Sequence, residues 1–224
     1  MSRSTLLLMG LLLSLLNACK VQEKSPAEHQ FGSPIRMLMI KHPVADYPIW
    51  KEAYLSKDSM RIANGLISRN FGRGLDDTSM VVVYTIITDL TKARSFSQSA
   101  LLQEVMAKAG VIDTATFVFG DVLRRDTSEL SIQDRVLVSY RVKDVNAWLR
   151  SLDEQGTDTR KENGLIDRGI LRDIDDPQMV HVAMAVSDIP KARAWLTSDA
   201  YKSFALQAGV ESVPDLFFYR REKK

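Results

Sequence analysis

In this chain of 224 residues the side chains best suited to chemistry are three histidines, six tyrosines and a set of arginines. His42 and His181 stand in apolar, strand-like runs (RMLMIKHPV and MVHVAMAV), whereas His29 lies in a polar stretch. An imidazole in an apolar strand needs a hydrogen-bond partner or a ligand, and its pKa near neutrality suits it to proton transfer. Period-two alternation puts His181 on one strand face with Met179, Ala183 and Ala185, and Tyr84 on one with Met80, Val82 and Ile86. His181, Tyr84 and His42 are therefore the candidate catalytic residues of a shared pocket. Arg69 and Arg168 are candidate contacts to an anionic group, with Arg73 and Arg172 on the same face by alternation. Trp50, Trp148 and Tyr140 are candidate aromatic contacts to a ligand, and the two tryptophans also fit a core.

Other chemistries lack their residues. Asp76-Asp77 and Asp175-Asp176-Pro177 are turn sequences, too isolated for a glycosidase pair and too poor in oxygen ligands for a calcium loop. The chain has no phosphate-binding loop, dinucleotide fingerprint, nucleophile elbow or HExxH. One Cys excludes a disulfide scaffold, a zinc knuckle and a redox pair, so no metal or cofactor is expected. Thirty Lys+Arg against 28 Asp+Glu leave +2, too little field to recruit nucleic acid.

The lone cysteine has a different meaning. Met1 to Thr5 is short and basic, and Leu6 to Leu16 is an apolar run of eleven. A bilayer-spanning helix needs roughly 20 apolar residues, so this run reads as the core of an export signal. Leu16-Asn17-Ala18-Cys19 resembles the lipobox of bacterial lipoproteins, which implies cleavage before Cys19 and its acylation. The acyl chains would anchor the protein at about 0.8 kcal/mol per buried CH₂. Lys20 stands where an Asp would favour inner-membrane retention, which points to the outer membrane, facing the periplasm or the surface. The polar stretch from Lys20 to Ser33 reads as a tether.

The remainder is one unit written twice. A shift of 99 carries Asn64-Gly65-Leu66-Ile67 onto Asn163-Gly164-Leu165-Ile166, Lys92-Ala93-Arg94 onto Lys191-Ala192-Arg193, and Ala109-Gly110-Val111 onto Ala208-Gly209-Val210. Residues 64–119 and 163–218 share 20 identities over 56 ungapped positions. Upstream the shift is 98, matching Trp50 to Trp148, so one residue is gained within the first helical segment.

Each copy reads as strand, helix, two strands, helix, strand. In the first, residues 35–44 form a strand, 46–63 one amphipathic helix, and 66–73 and 80–88 two strands. Asp89 caps a second helix, Ser99 re-caps it after a kink, and 114–120 close the unit. This β-α-β-β-α-β order is ferredoxin-like, with both helices on one sheet face and the other face bare. The exposed apolar patch would be too large for a monomer. Two sheets pairing face to face within the chain would remove it, giving an α+β fold built as a pseudo-dimeric barrel. The segments are then 1–18 (signal), 19–34 (tether), 35–120 (first repeat), 121–133 (linker), 134–220 (second repeat) and 221–224 (basic tail).

The strings Val44-x-Asp46-x-x-x-Trp50, Asn64-Gly65-Leu66, Asp76-Asp77-x-x-Met80-Val81, Asp89-x-x-Lys92-Ala93 and Ala109-Gly110-Val111, each with its second-copy match, resemble the dimeric α+β barrel superfamily. The resemblance is nearest the antibiotic-biosynthesis-monooxygenase-like domains and covers nearly all of 36–220. It implies a cavity between the sheet and its covering elements, but no single reaction, because such folds host oxygenases, haem-degrading enzymes and isomerases. The haem-degrading members place a histidine on a helix, and neither repeat has one there.

Without an ordered catalytic set, the first expectation is a lipid-anchored binding module: a monomer taking a small apolar or aromatic molecule, or a partner. The alternative is a cofactor-independent monooxygenase or isomerase that uses a cavity histidine.

Overall fold

A computed structural model describes residues 34–223, so the signal segment, Cys19 and the tether up to Ser33 lie outside the described residues. The first half runs β1 (Arg36–Pro43), α1 (Tyr47–Leu55), α2 (Asp58–Ala63), β2 (Leu66–Gly74), β3 (Met80–Ile87), α3 (Leu90–Ser97), α4 (Ala100–Lys108) and β4 (Thr116–Arg125). The second half repeats that order as β5 (Asp134–Arg141), α5 (Val145–Gln155), α6 (Thr157–Glu162), β6 (Leu165–Asp173), β7 (Met179–Val186), α7 (Ile189–Leu196), α8 (Asp199–Gln207) and β8 (Asp215–Lys223).

Side-chain caps set the helix starts. The carboxylates of Asp46, Asp89, Asp144 and Asp188 accept from backbone N–H groups three residues on, and the hydroxyls of Ser99 and Ser198 do the same for α4 and α8. Such a cap contributes about 1 kcal/mol. The single helix expected over 46–63 is broken at Ser56 and Lys57, and its counterpart breaks at Gly156. The extra residue of the second half belongs to this stretch: α5 has eleven residues where α1 has nine, and the junction that follows is one residue shorter.

The eight strands form one closed antiparallel barrel in the order β1-β3-β2-β8-β5-β7-β6-β4. Within each half the strands pair as a ferredoxin-like sheet. Two seams then join the halves, Asn70–Gly74 of β2 against 219–223 of β8, and Gly120–Arg125 of β4 against Gly169–Asp173 of β6. As expected of a pseudo-dimeric α+β barrel, the bare faces of the two halves meet in the interior, where Met39, Val82 and Tyr84 pack with Leu137, Leu171 and Tyr219; the two seams show that the halves also join edge to edge. β4 continues to Arg125, beyond Gly120, because those extra residues find a partner strand in the other half. Closure leaves no unpaired sheet edge among the described residues.

Helices cover the outside of the barrel, and alternation sorts the side chains. In β3, Val81 and Val83 pack outward with Phe71 and Trp50, whereas Val82 and Tyr84 point inward with Met39, Leu137 and Tyr219. In β7, Val180, Val182, Met184 and Val186 join the outer core with Trp148. The inner faces are not packed solid, and the space they leave is the candidate site.

Three strands carry an extra residue. Ser68 and Asn70 are paired while Arg69 bulges between them; Arg168 does the same between Asp167 and Gly169, and Leu123 between Val122 and Arg124. A bulge interrupts period-two alternation and re-aims the side chain next to it.

Candidate functional site: a chamber inside the barrel

The barrel interior holds a chamber of about 510 Å³ that is open to solvent on one side. Met37, Met39, Tyr84, Ile86, Leu137 and Ala183 line its apolar part. At one end the wall turns basic. Arg69 and Arg168 reach it from their bulges, Arg124 and Arg125 from the end of β4, Arg135 from the start of β5 and Arg221 from the end of β8. Strands from both halves contribute, so the chamber exists only because the barrel closes.

The segment joining the halves lies across this basic end, with Asp126, Thr127 and Glu129 among the lining residues. Arg168 holds it there. Its guanidinium donates to Asp126 Oδ2 at 2.9 Å, to Ser128 Oγ at 3.1 Å and to the Ser128 carbonyl at 2.6 Å. Arg69, the matching residue of the first half, makes no ion pair among the described residues and is exposed.

Two groups on the wall can handle protons. His181 Nδ1 lies 2.8 Å from Ser139 Oγ, while its Nε2 is buried without a partner. Burial pushes its pKa below the ordinary histidine range, against the pull of Asp173 and Asp215. The imidazole is therefore neutral at pH 7, with Ser139 fixing one nitrogen and leaving the other as a potential base. Tyr219 donates to Tyr84 across 3.4 Å between hydroxyls. Burial, then the neighbouring Tyr219, holds the Tyr84 phenol well above its usual pKa, so it stays protonated. Two phenols sharing one hydrogen bond leave one O–H available to a ligand.

A second, smaller cavity lies outside the barrel wall, between the first half's sheet and its helices, with a volume of about 80 Å³. His42, Trp50, Tyr54 and Arg61 border it among aliphatic side chains. His42 meets the Trp50 ring edge-on at 5.8 Å, neither ring nitrogen has a partner, and burial brings its pKa down to about 4. In the second half Tyr140 stands where His42 does and Tyr201 where Leu102 does; both are buried in the core beside Trp148. The larger rings occupy the room that the first half leaves open.

The expectation that His42 would share a pocket with His181 and Tyr84 is corrected. His42 has the parity of Leu38 and Ile40 on β1, which face the helices, whereas Met37 and Met39 face the chamber. Trp148 and Tyr140, expected as ligand contacts, fill the second half's core and line neither cavity, while Trp50 borders the small one. Arg69 and Arg168 border the chamber. Arg73 and Arg172 do not join them, because the bulges reverse the alternation: Arg73 lies over the Tyr47 ring and donates to the Thr78 carbonyl, and Arg172 pairs with Asp121. Sequence reasoning missed Arg124, Arg125, Arg135 and Arg221. Their approach depends on strand pairing between halves, for which no local pattern codes. Among the described residues no three His, Cys, Asp or Glu side chains converge as metal ligands, and no helix is long and apolar enough to cross a membrane.

No protein-family model and no curated protein matches the chain. Solved structures do. An anthrone oxidase-like protein superposes with a TM-score of 0.59 at 10% identity, covering 86% of this chain and 94% of that one. A provisionally named monooxygenase from Fusobacterium nucleatum gives 0.58 at 11% identity, over 87% of this chain and 96% of the other. One from Lactobacillus acidophilus gives 0.55 at 12% identity, over 84% and 94%. What the chain shares with these proteins is the fold.

Proposed function

We propose that the chain is a cell-envelope lipoprotein, anchored through Cys19, whose barrel binds a small apolar or aromatic molecule. The chamber of about 510 Å³ carries this reading. It falls within the range of small-molecule sites, and one part of its wall is apolar, as such sites usually are, while the other is polar and basic. Native mass spectrometry of the protein purified from membranes tests the proposal. The expected result is a small molecule released on denaturation and absent from Ala183→Trp, which puts an indole into the chamber. Protein at its bare mass, together with no binding of uncharged aromatic probes, would overturn it. The anchor is tested separately: the mature mass should carry acyl chains, and Cys19→Ser should release the protein from the membrane fraction.

A second reading has one observation in its favour. His181, neutral and fixed at Nδ1 by Ser139, has the arrangement of a general base on the chamber wall. It would take a proton from a bound apolar substrate; the carbanion left would either be reprotonated by His181 at another carbon, an isomerisation, or pass its electrons to dioxygen as co-substrate, an oxygenation, and the Tyr84–Tyr219 pair offers one hydroxyl to the negative charge formed. Several of the structurally similar proteins are named as monooxygenases, which is compatible with this alternative. If His181→Ala abolishes ligand turnover but leaves ligand binding intact, the enzyme reading stands; unchanged turnover removes it.

A further inference from the structure

Among the described residues, the basic end of the chamber carries more positive than negative charge. Six arginines line the chamber against two carboxylates, Asp126 and Glu129. Arg168 is committed to Asp126, and Arg124 is committed to Asp153 outside the barrel. Asp134, beside Arg135 in sequence, is paired with Arg220 instead. Glu129 is exposed on the rim and has an interaction of its own. Arg69, Arg125, Arg135 and Arg221 form no ion pair among the described residues.

Arg135 is the most informative of the four. It is 3% exposed, and its Nη1 donates to the carbonyls of Ile132 and Asp134, each at 2.8 Å. Its Nη2 is buried with no acceptor, and so is Nε of Arg221. Burial makes Arg135 harder to ionise, and the like charge of Arg221 adds to that. An unpaired guanidinium beside like charge in a buried site is destabilising unless an anion joins it. A bidentate oxyanion is the group that the planar guanidinium fork fits.

We propose that this end of the barrel is an oxyanion site, and that the chamber's ligand is an apolar molecule with an anionic head. The head, a carboxylate or a phosphate, sits among Arg135, Arg69, Arg125 and Arg221. The body lies against Met37, Met39, Ile86 and Leu137. This inference rests on the chamber being a ligand site and adds the chemical class of the ligand. The asymmetry of the barrel supports it. Arg168 is occupied by the segment that links the halves, whereas its counterpart Arg69 meets no such segment among the described residues and is exposed.

Three probes with one ring system separate the outcomes: 2-naphthoate, 2-naphthyl phosphate and uncharged 2-naphthol, titrated calorimetrically into the whole protein at pH 7. At least one anion should bind ten-fold or more tightly than 2-naphthol at low salt, and added NaCl should narrow the gap. The tighter anion identifies the head group. Arg69→Gln and Arg125→Gln, at positions where the side chain is not sealed in the core, should lose most of the preference while 2-naphthol affinity stays the same. Circular dichroism confirms that each variant is folded. Equal affinity for all three probes, or a preference that survives both substitutions, would overturn the oxyanion site and leave the chamber reading intact. Absence of binding by all three would overturn both.

Discussion

The ring of Tyr219 lies directly over Gly72 at the seam between β8 and β2. A Cβ on Gly72 would lie well within van der Waals contact distance of the Tyr219 ring and 2.8 Å from the Arg220 carbonyl oxygen. The other seam has the same device with the partners exchanged: a Cβ on Gly120 of β4 would strike Leu171 of β6 and sit 2.8 Å from the Arg172 carbonyl oxygen. By the repeat, Gly72 corresponds to Leu171 and Gly120 to Tyr219. Each seam therefore joins a glycine to a large side chain, but the glycine comes from β2 at one and from β4 at the other.

Gly72→Ala should destabilise the protein by about 1–3 kcal/mol, the usual cost of overpacking. Gly169→Ala should cost less, since its nearest atom, the Arg124 carbonyl oxygen, would be 3.3 Å away. Tyr219→Ala combined with Gly72→Ala should cost less than the sum of the two single losses, because the methyl group then gains room on the ring side, although the Arg220 carbonyl still crowds it. Urea denaturation of the single and double variants measures the coupling.

The small cavity predicts a pH dependence. His42 is held neutral when folded, with a pKa of about 4, whereas the unfolded chain protonates it near pH 6.5. The unfolded state thus binds more protons between these values, and stability falls as pH drops from about 6.5 to about 4, by about 3 kcal/mol. His181, also lowered by burial, adds to the same trend. His42→Leu should flatten the profile over this window while leaving the pH 7 stability similar; an unchanged slope would remove His42 as the cause.

Arg160 predicts a large single-site effect. Its side chain is 6% exposed and makes two bonds to the Asp167 carboxylate, at 2.7 and 2.6 Å. Asp167→Ala leaves that guanidinium with only the Leu152 carbonyl and Gln155 as acceptors and should cost about 2–3 kcal/mol. In the first half Ser68 takes the place of Asp167, and Arg61 turns to Asp58 as well as to Ser68. Asp58→Ala should therefore be the costly change there, and thermal melts of the two variants compare the halves.

Arg168→Ala should free the segment over the chamber mouth without opening the barrel. Amide hydrogen exchange is expected to quicken over 126–133, while β6 and β7 stay protected. The melting temperature should move little, because the hydrogen bonds that Arg168 makes to this segment lie at the surface.

Uncompensated charge at the same end predicts a salt effect. Arg125 ionises less readily than usual because of burial and then because of Arg69. Raising NaCl from about 0.05 to about 0.5 M should stabilise the ligand-free protein by roughly 0.5–1 kcal/mol, and Arg125→Gln should reproduce part of that gain at low salt. Destabilisation by salt would contradict the repulsion.

Much of the scaffold is readable from local chemistry. The caps at Asp46, Asp89 and Ser99, the strand at 80–87 and the inward parity of Tyr84 and His181 all follow from nearest-neighbour rules, and those rules hold where the strands run without interruption. They fail at the bulges. Arg69 and Arg73 are four residues apart on paper and on opposite sides of the wall in space, because one unpaired residue shifts the alternation. Arg135, Arg125 and Arg221 are beyond sequence reasoning for another reason. They come from β5, β4 and β8, and only long-range pairing brings those strand ends to one rim. Tyr140 and Trp148 illustrate a third limit: spacing identifies an aromatic pair, but only the volume of the opposing residue, Tyr201 rather than Leu, determines whether a void remains.

The order in which the strands are made gives the β2–β8 seam one further meaning. β8 is the last of the eight to leave the ribosome, and it alone bridges β5 to β2 and so completes the ring. Until it emerges, the other seven form an open ribbon with bare rims at β2 and β5, sticky towards any neighbouring strand. A nonsense codon just ahead of β8 would take away little of the polypeptide's mass but the whole clasp. Such late truncations should consequently yield aggregates and proteolytic fragments rather than a shortened, working remnant.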